Sequence, residues 1–204
     1  MVEFPAPQVR DYRPADEASW LRCRVLSFLD TCYFDDVATA KPVEDDADGT
    51  IELVAVEGDG DGDGDRDGDG DGDLVVGLLD VAIRGELATI ECVAVHPDYR
   101  RVGLAGALLS VALGRLAGSS AKVLDAWTRE DPPALAWYAS CGFVEMQTYL
   151  HVYSGYNHAV EMVSTTRPLR PVAVFAHATR EHEATMRAEF DRVYVCRRMQ
   201  RPLQ

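Results

Sequence analysis

Residues 91–109, ECVAVHPDYRRVGLAGALL, are an apolar strand that turns at His96-Pro97 and runs into a helix. The first amide N–H groups of a helix have no acceptor within it, and the helix dipole adds partial positive charge there. A turn of this kind therefore favours an anion such as a diphosphate. Gly103 removes a Cβ where phosphate oxygens would approach the backbone, and Ala105 keeps the next turn small. Arg100 and Arg101 offer charge-assisted contacts. The pattern is Arg100-x-x-Gly103-x-Ala105. The dinucleotide pattern G-x-G-x-x-G is absent, because no glycine precedes the Gly103/Gly106 pair, and there is no GK[ST] of a phosphate loop.

Elements must hold this turn in place. Leu87–Val95 reads as a strand, and Gly103–Leu116 as a helix apolar nearly all round, fit to press against a sheet. Further strands are expected at Val9–Tyr12, Ile51–Val56, Leu74–Ile83, Lys122–Trp127, Phe143–Tyr153, Val172–His177 and Val193–Met199. Helices are expected at Ala15–Leu29, Pro133–Ser140 and Thr179–Phe190. Gly142 supplies a left-handed stop after the second of these. Residues 30–46 are irregular, open to a short helix or a loop. Between Val56 and Leu74 lies an alternating Gly/Asp tract that buries no apolar surface and repels itself, so 58–73 reads as a disordered hairpin tip. Its start matches a calcium loop, but the twelfth position is Gly70, where a bidentate Glu is needed.

About thirty residues after the turn comes ALAWYASCGF. Val93-Ala-Val95, Arg100-x-x-Gly103-x-Ala105 and Tyr138-x-x-x-Gly142-Phe143, in that order, resemble the acetyl-CoA signature of the GNAT acetyltransferase superfamily. The resemblance covers Val9–Leu150, with Val193–Met199 as the last strand; 154–191 is an addition that suits a lid, a dimer contact or part of an acceptor pocket. It implies an α/β (α+β) GNAT fold: a mixed, mostly antiparallel sheet of about seven strands, helices on both faces, splayed after Val95. The length fits one such domain over 1–204.

The resemblance also implies roles. Backbone amides of Arg101, Val102, Gly103, Leu104, Ala105 and Gly106 hold the diphosphate, with Arg100 beside them. Val93 and Val95 flank pantetheine, and an amide near Val95 meets the thioester carbonyl. Tyr138 matches the tyrosine that protonates the departing thiolate, with a core aromatic as its plain alternative. Glu91, sharing strand parity with Val93 and Val95, is the candidate base, acting through water; His96 is the alternative. Asp131 stands where the family often has Asn for a pantetheine contact; an ionised Asp cannot donate, and it also suits a helix cap. Tyr33, Phe34, Asp35, Asp36, Trp127 and Tyr149 would form an aromatic, acidic acceptor pocket, or simply pack core and surface.

The activity implied is transfer of acetyl from acetyl-CoA to a primary amine by direct attack. A non-catalytic acyl-CoA-binding module is the alternative, and a calcium-dependent surface protein a third. The net charge of −14 excludes general nucleic-acid binding, which needs a basic face. Eight Asp against Arg66 in 59–73 supply −7 of it, and two lysines in the whole chain fit a protein adapted to high salt. Five widely spaced cysteines indicate neither zinc nor disulfides. No apolar run is long enough to span a membrane, so a cytoplasmic protein is expected; a homodimer is left open.

Overall fold

The computed structural model describes residues 7–57, 73–155 and 168–203, together with 159 and 162. The chain forms two compact units, Met1–Ala126 with Arg201–Gln204, and Trp127–Gln200.

In the first unit, strands β1 (Gln8–Asp11), β2 (Gly49–Glu57), β3 (Leu74–Arg84), β4 (Leu87–Val95) and β5 (Val123–Thr128, the last two residues in the second unit) lie in the order β1-β2-β3-β4-β5. The first three pairings are antiparallel; β4 and β5 run parallel. Strands β2 and β3 pair up to Glu57↔Leu74, so they form the expected hairpin. The Gly/Asp tip lies outside the described residues except Asp73, which pairs with Arg10 at 2.9 Å.

Helices α1 (Glu17–Phe28) and α2 (Leu104–Leu116) cover the two faces of this sheet. Consecutive strand residues point to opposite faces, and Leu78 packs with Trp20 of α1 while Gly77 faces α2. A Cβ on Gly77 would stand 3.3 Å from both Ala55 Cβ and Leu108 Cδ1, so glycine lets α2 lie close on the sheet. Trp20, Cys23, Val54, Val56, Val75, Leu78 and Ala94 make the core beneath α1; each large side chain buried there contributes about 1.5–3 kcal/mol. Ahead of α1, Asp16 is buried and held by Arg10 at 2.7 and 2.8 Å and by the Arg13 amide at 2.7 Å.

The second unit contains α3 (Pro132–Ser140), β6 (Val144–Ser154), β7 (Val174–Ala178), α4 (Glu183–Glu189) and β8 (Arg192–Pro202, the last two residues in the first unit). Its strands lie in the order β8-β6-β7, all antiparallel. Leu150, Val152, Val193 and Val195 form its core, with Met186 and Phe190 packed on them.

The eight strands among the described residues are the eight read from the sequence, against the about seven that the resemblance implies; the added segment lends β7 as a partner of β6. Its helix shortens from Thr179–Phe190 to one 3-10 turn plus Glu183–Glu189. Residues 30–48 are turns and loop. All five cysteines are free thiols.

Candidate active site

Strand β4 has two unlike halves. Leu87–Ile90 pair with Val123–Ala126 of β5, and there the pairing stops, while β4 runs on to Val95. The freed half, Glu91–Val95, starts at a β-bulge: Val81 pairs with Ile90 and Asp80 with Cys92, leaving Glu91 as the extra residue. Bulges bend a strand and re-aim its side chains. Here both Glu91 and Cys92 line one cavity on the α1 face. Strand parity, which would aim Glu91 with Val93 and Val95 and away from Cys92, fails at this bulge.

Beyond Val95 the chain makes a single 3-10 turn, Pro97–Tyr99. His96 Nδ1 accepts from the Asp98 amide at 3.3 Å, so this side chain shapes the turn. Arg100 spends its guanidinium on the framework, donating to Val95 O at 3.3 Å and to Ser27 O at 2.8 Å, which ties the turn to α1. Arg101 has φ 69°, the only described residue besides glycine with positive φ, and Gly103 follows at 91°. A side-chain-bearing residue held in the left-handed region costs on the order of 1 kcal/mol or more. Left-handed residues in a turn aim successive amides into one concavity, a shape that suits anions.

Gly103 is the N-cap of α2 and no side chain caps it; the first helical bond is Ala107 N to Gly103 O at 3.0 Å. The amides of Gly103, Leu104, Ala105 and Gly106 thus precede that ladder. Leu104 is buried and anchors the helix, Ala105 is half-buried, and Arg101, Val102, Gly103 and Gly106 are exposed. A Cβ built on Gly103 or Gly106 meets nothing within 4 Å, so the backbone is open to a ligand on that side. These residues fit a diphosphate.

In the second unit, Asp131 caps α3: its Oδ2 accepts from Ala134 N at 3.1 Å. Tyr138 is buried, edge-on to Trp137 and Phe143 with ring centroids at 4.9 and 5.2 Å. Gly142 ends the helix at φ 80°, and Phe143 N returns to Tyr138 O at 3.1 Å, fixing the tyrosine's place. Of the expected acceptor pocket, Tyr33 meets Phe28 at a tilt, ring centroids 5.4 Å apart, and Asp36 pairs with Arg24 at 3.0 Å, both in the first unit. Phe34 and Asp35 are exposed there. Trp127 meets Tyr149 edge-on at 5.4 Å in the second.

Sequence reasoning missed the cavity's charged wall. The cavity measures about 230 Å³, with Trp20 and Arg24 of α1, Lys41, Glu44, Glu52 and Asp80 among its walls. Lys41 pairs closely with Glu52, and its Nζ is 3.4 Å from Asp80 Oδ1. Burial pushes the Asp80 carboxyl up to about 6, against the pull of Lys41 and helped by Glu52. For Lys41, burial works downward, but Asp80 and Glu52 outweigh it and leave the ammonium raised. Glu91 is held at the rim by Arg84 at 2.8 Å, which also takes Glu44 at 2.7 Å. Desolvation raises the Cys92 thiol to about 12, which keeps it from acting as a thiolate nucleophile at neutral pH. Two signals pointed here: a lone acid inside the apolar run LVVGLLDVAI, and one of only two lysines.

Residues 66–145 match the family model of the Acetyltransferase (GNAT) domain. The matched stretch covers less than half of the chain, so what it shows is a likeness to that domain. A comparison with curated proteins finds no match. Among solved structures, the chain is similar to the ribosomal-protein-S18-alanine N-acetyltransferase of Escherichia coli, at 16% identity and TM-score 0.56 over 97% of this chain and 94% of that one. It is similar to Ard1 of Thermoplasma volcanium at 15% identity and TM-score 0.55, over 98% and 99% of the two chains. The PaiA N-acetyltransferase of Thermoplasma acidophilum, solved with coenzyme A, follows at 10% identity and TM-score 0.51, over 69% and 91%. At these identities the structural likeness concerns the fold. The GNAT match spans both the parted strand β4 and the open start of α2.

Proposed function

We propose that the chain transfers the acetyl group of acetyl-CoA to a primary amine by direct attack. The observation that carries this reading is the left-handed turn at Arg101 and Gly103, opening α2 beside a strand that has left its neighbour, inside the GNAT match. The amides of Arg101–Gly106 would hold the diphosphate, and Arg100 would keep the turn in register through its framework bonds. Val93 and Val95 would flank pantetheine on the freed half of β4, where a backbone amide would polarise the thioester carbonyl.

Two proton transfers remain. An alkylamine is mostly protonated at neutral pH and must lose a proton before attack, and the departing thiolate gains one. Tyr138 is the proposed donor to sulfur, supported by its motif position and by the helix stop that fixes it. Glu91, at the bulge and the rim of the cavity, is the proposed carboxylate facing the amine. Asp131 serves as a helix cap and needs no part in binding.

A structural neighbour solved with coenzyme A, and others named N-acetyltransferases, support the choice of donor and acceptor chemistry. No helix among the described residues is long and apolar enough to cross a membrane. Residence in the cytoplasm, tolerance of high salt and a single functional domain belong to the same proposal, supported by the charge of −14 and the chain length. The test pairs two readings on the full chain: acetyl-CoA should raise Tm, and an amine panel should release free CoA thiol. Binding without release from any amine would reduce the protein to an acyl-CoA-binding module.

A further inference from the structure

We infer that the cavity under α1 is the pocket for the acceptor's alkylammonium end, and that Asp80 is the catalytic residue that takes its proton. This rests on the acetyl-transfer reading above and moves the proton's acceptor from Glu91 to Asp80, with Glu91 left to face the amine at the rim.

The cavity reaches the freed half of β4 at its first two residues, Glu91 and Cys92, and Asp80 lies directly across from Cys92 in the β3–β4 register. It thus meets the parted strand on the α1 face, whereas the diphosphate turn leads into α2 on the other. An amine arriving from one face would meet a thioester held from the other, an approach that needs no rearrangement of the sheet.

Charge and burial select the ligand. Of the acids around the space, Glu44 and Glu91 are held by Arg84, while Asp80 and Glu52 share the single Lys41; Arg24 is spent on Asp36 through contacts of 2.6 Å to its carbonyl and 3.0 Å to its carboxylate. Asp80 is 9% exposed, and its buried Oδ1 lacks a well-formed hydrogen bond, since Lys41 reaches it only at a long 3.4 Å and is held more closely by Glu52. A buried acceptor left without a well-placed donor costs free energy. A bound –NH3⁺ would satisfy it. Trp20, Pro42 and Val81 offer apolar wall to the methylenes behind that head group, in a volume of about 230 Å³.

The chemistry balances as R–NH3⁺ + acetyl–S–CoA giving R–NH–acetyl + HS–CoA + H⁺. Asp80 Oδ1 takes one proton from R–NH3⁺, leaving a nitrogen lone pair that forms the new C–N bond. As the C–S bond breaks, its electron pair stays on sulfur, and Tyr138 supplies the proton that makes the thiol. The second proton on nitrogen leaves to solvent, as does the one on Asp80, and the donor to sulfur regains its proton from solvent. Buried beside Lys41 and Glu52, with Glu44 and Arg24 facing the same space and Glu91 and Cys92 on the neighbouring strand, Asp80 is poised near pH 6 and is ionised at neutral pH. Proton transfer is most effective from a group titrating near the working pH.

The experiment measures kcat/KM against pH from 5 to 9 with saturating acetyl-CoA for the wild type, Asp80→Asn and Glu91→Gln. The probes are 1,4-diaminobutane for free polyamines and Nα-acetyl-lysine amide for lysine side chains; whichever is turned over names the source. Expected are a limb near pH 6 in the wild type, its disappearance with a roughly 100-fold or greater loss in Asp80→Asn, and an unaltered acetyl-CoA shift in Tm for that variant. Glu91→Gln should raise KM and keep the limb. Should Asp80→Asn fail to fold, the wild type decides by itself: absence of the limb overturns the assignment. So does Asp80→Asn with a wild-type profile, or a wild type that answers acetyl-CoA yet acetylates neither probe. A wild type that does not answer acetyl-CoA sinks the acetyl-transfer reading itself.

Discussion

The turn at 96–106 and the sheet face of the second unit both carry arginines, but they use them in opposite ways. In the turn, Arg100 points its guanidinium at carbonyls of Val95 and Ser27 and leaves the backbone amides open. On the β6/β8 face, Arg192 lies 3.7 Å over the Tyr153 ring, and Arg129 lies over Tyr153 and Tyr194 at 5.6 and 5.8 Å. Beside them His151 and His177 stack at 5.0 Å. One region makes its surface from backbone and uses side chains as struts; the other makes it from side chains on paired strands. A backbone site fails when a Cβ is added, a side-chain site when a ring or charge is removed.

The largest effect should therefore come from Gly103. At φ 91° any L-residue is strained, and a β-branched one most of all. Gly103→Val should abolish the rise in Tm on acetyl-CoA while the exposed position leaves the fold standing; a variant that keeps the full shift would remove the turn from the cofactor site. Next comes Tyr138→Phe, which spares the ring contacts with Trp137 and Phe143 and deletes only the hydroxyl. It should lower kcat about 100-fold or more with the acetyl-CoA shift retained, and full turnover would leave Tyr138 a packing residue.

The contrast between the regions also explains what could be read beforehand. Strand β4 falls at Leu87–Val95 as expected, and α2, α3 and the Gly142 stop come within a residue or so, because glycine, proline and helix-forming runs act locally. The turn was legible for the same reason: an amide-built site needs small residues at fixed spacing. The bulge at Glu91 was not, since it depends on how β3 and β4 settle into register over the core. Nor was the cavity, where Lys41, Glu52 and Asp80 come from three separate stretches. The pairing of Tyr149 with His177 likewise depends on β7 joining β6.

Smaller effects test the second unit. Leu150 is fully buried in its core, so Leu150→Ala should cost about 2–5 kcal/mol, read by denaturant titration. Burial, then Arg129 and His177, hold the His151 imidazole down at about 4. Lowered from an ordinary value of about 6.5, it binds its proton more readily when unfolded. Stability from this group is therefore present above pH 6.5 and lost as pH falls towards 4. Asp80, raised to about 6, acts with the opposite sign, losing stability as pH rises from its ordinary range through 6. His151→Phe should flatten the acid-side decline in Tm, and Asp80→Asn should steepen it; identical profiles in both variants would show that neither group is buried as described.

The most direct test follows the backbone amides themselves. Hydrogen exchange on the full-length protein, with and without acetyl-CoA, should slow at Arg101–Gly106 when the cofactor is present. Unchanged exchange across those six amides, at a concentration of acetyl-CoA that saturates any shift in Tm, would contradict a diphosphate seated on the start of α2.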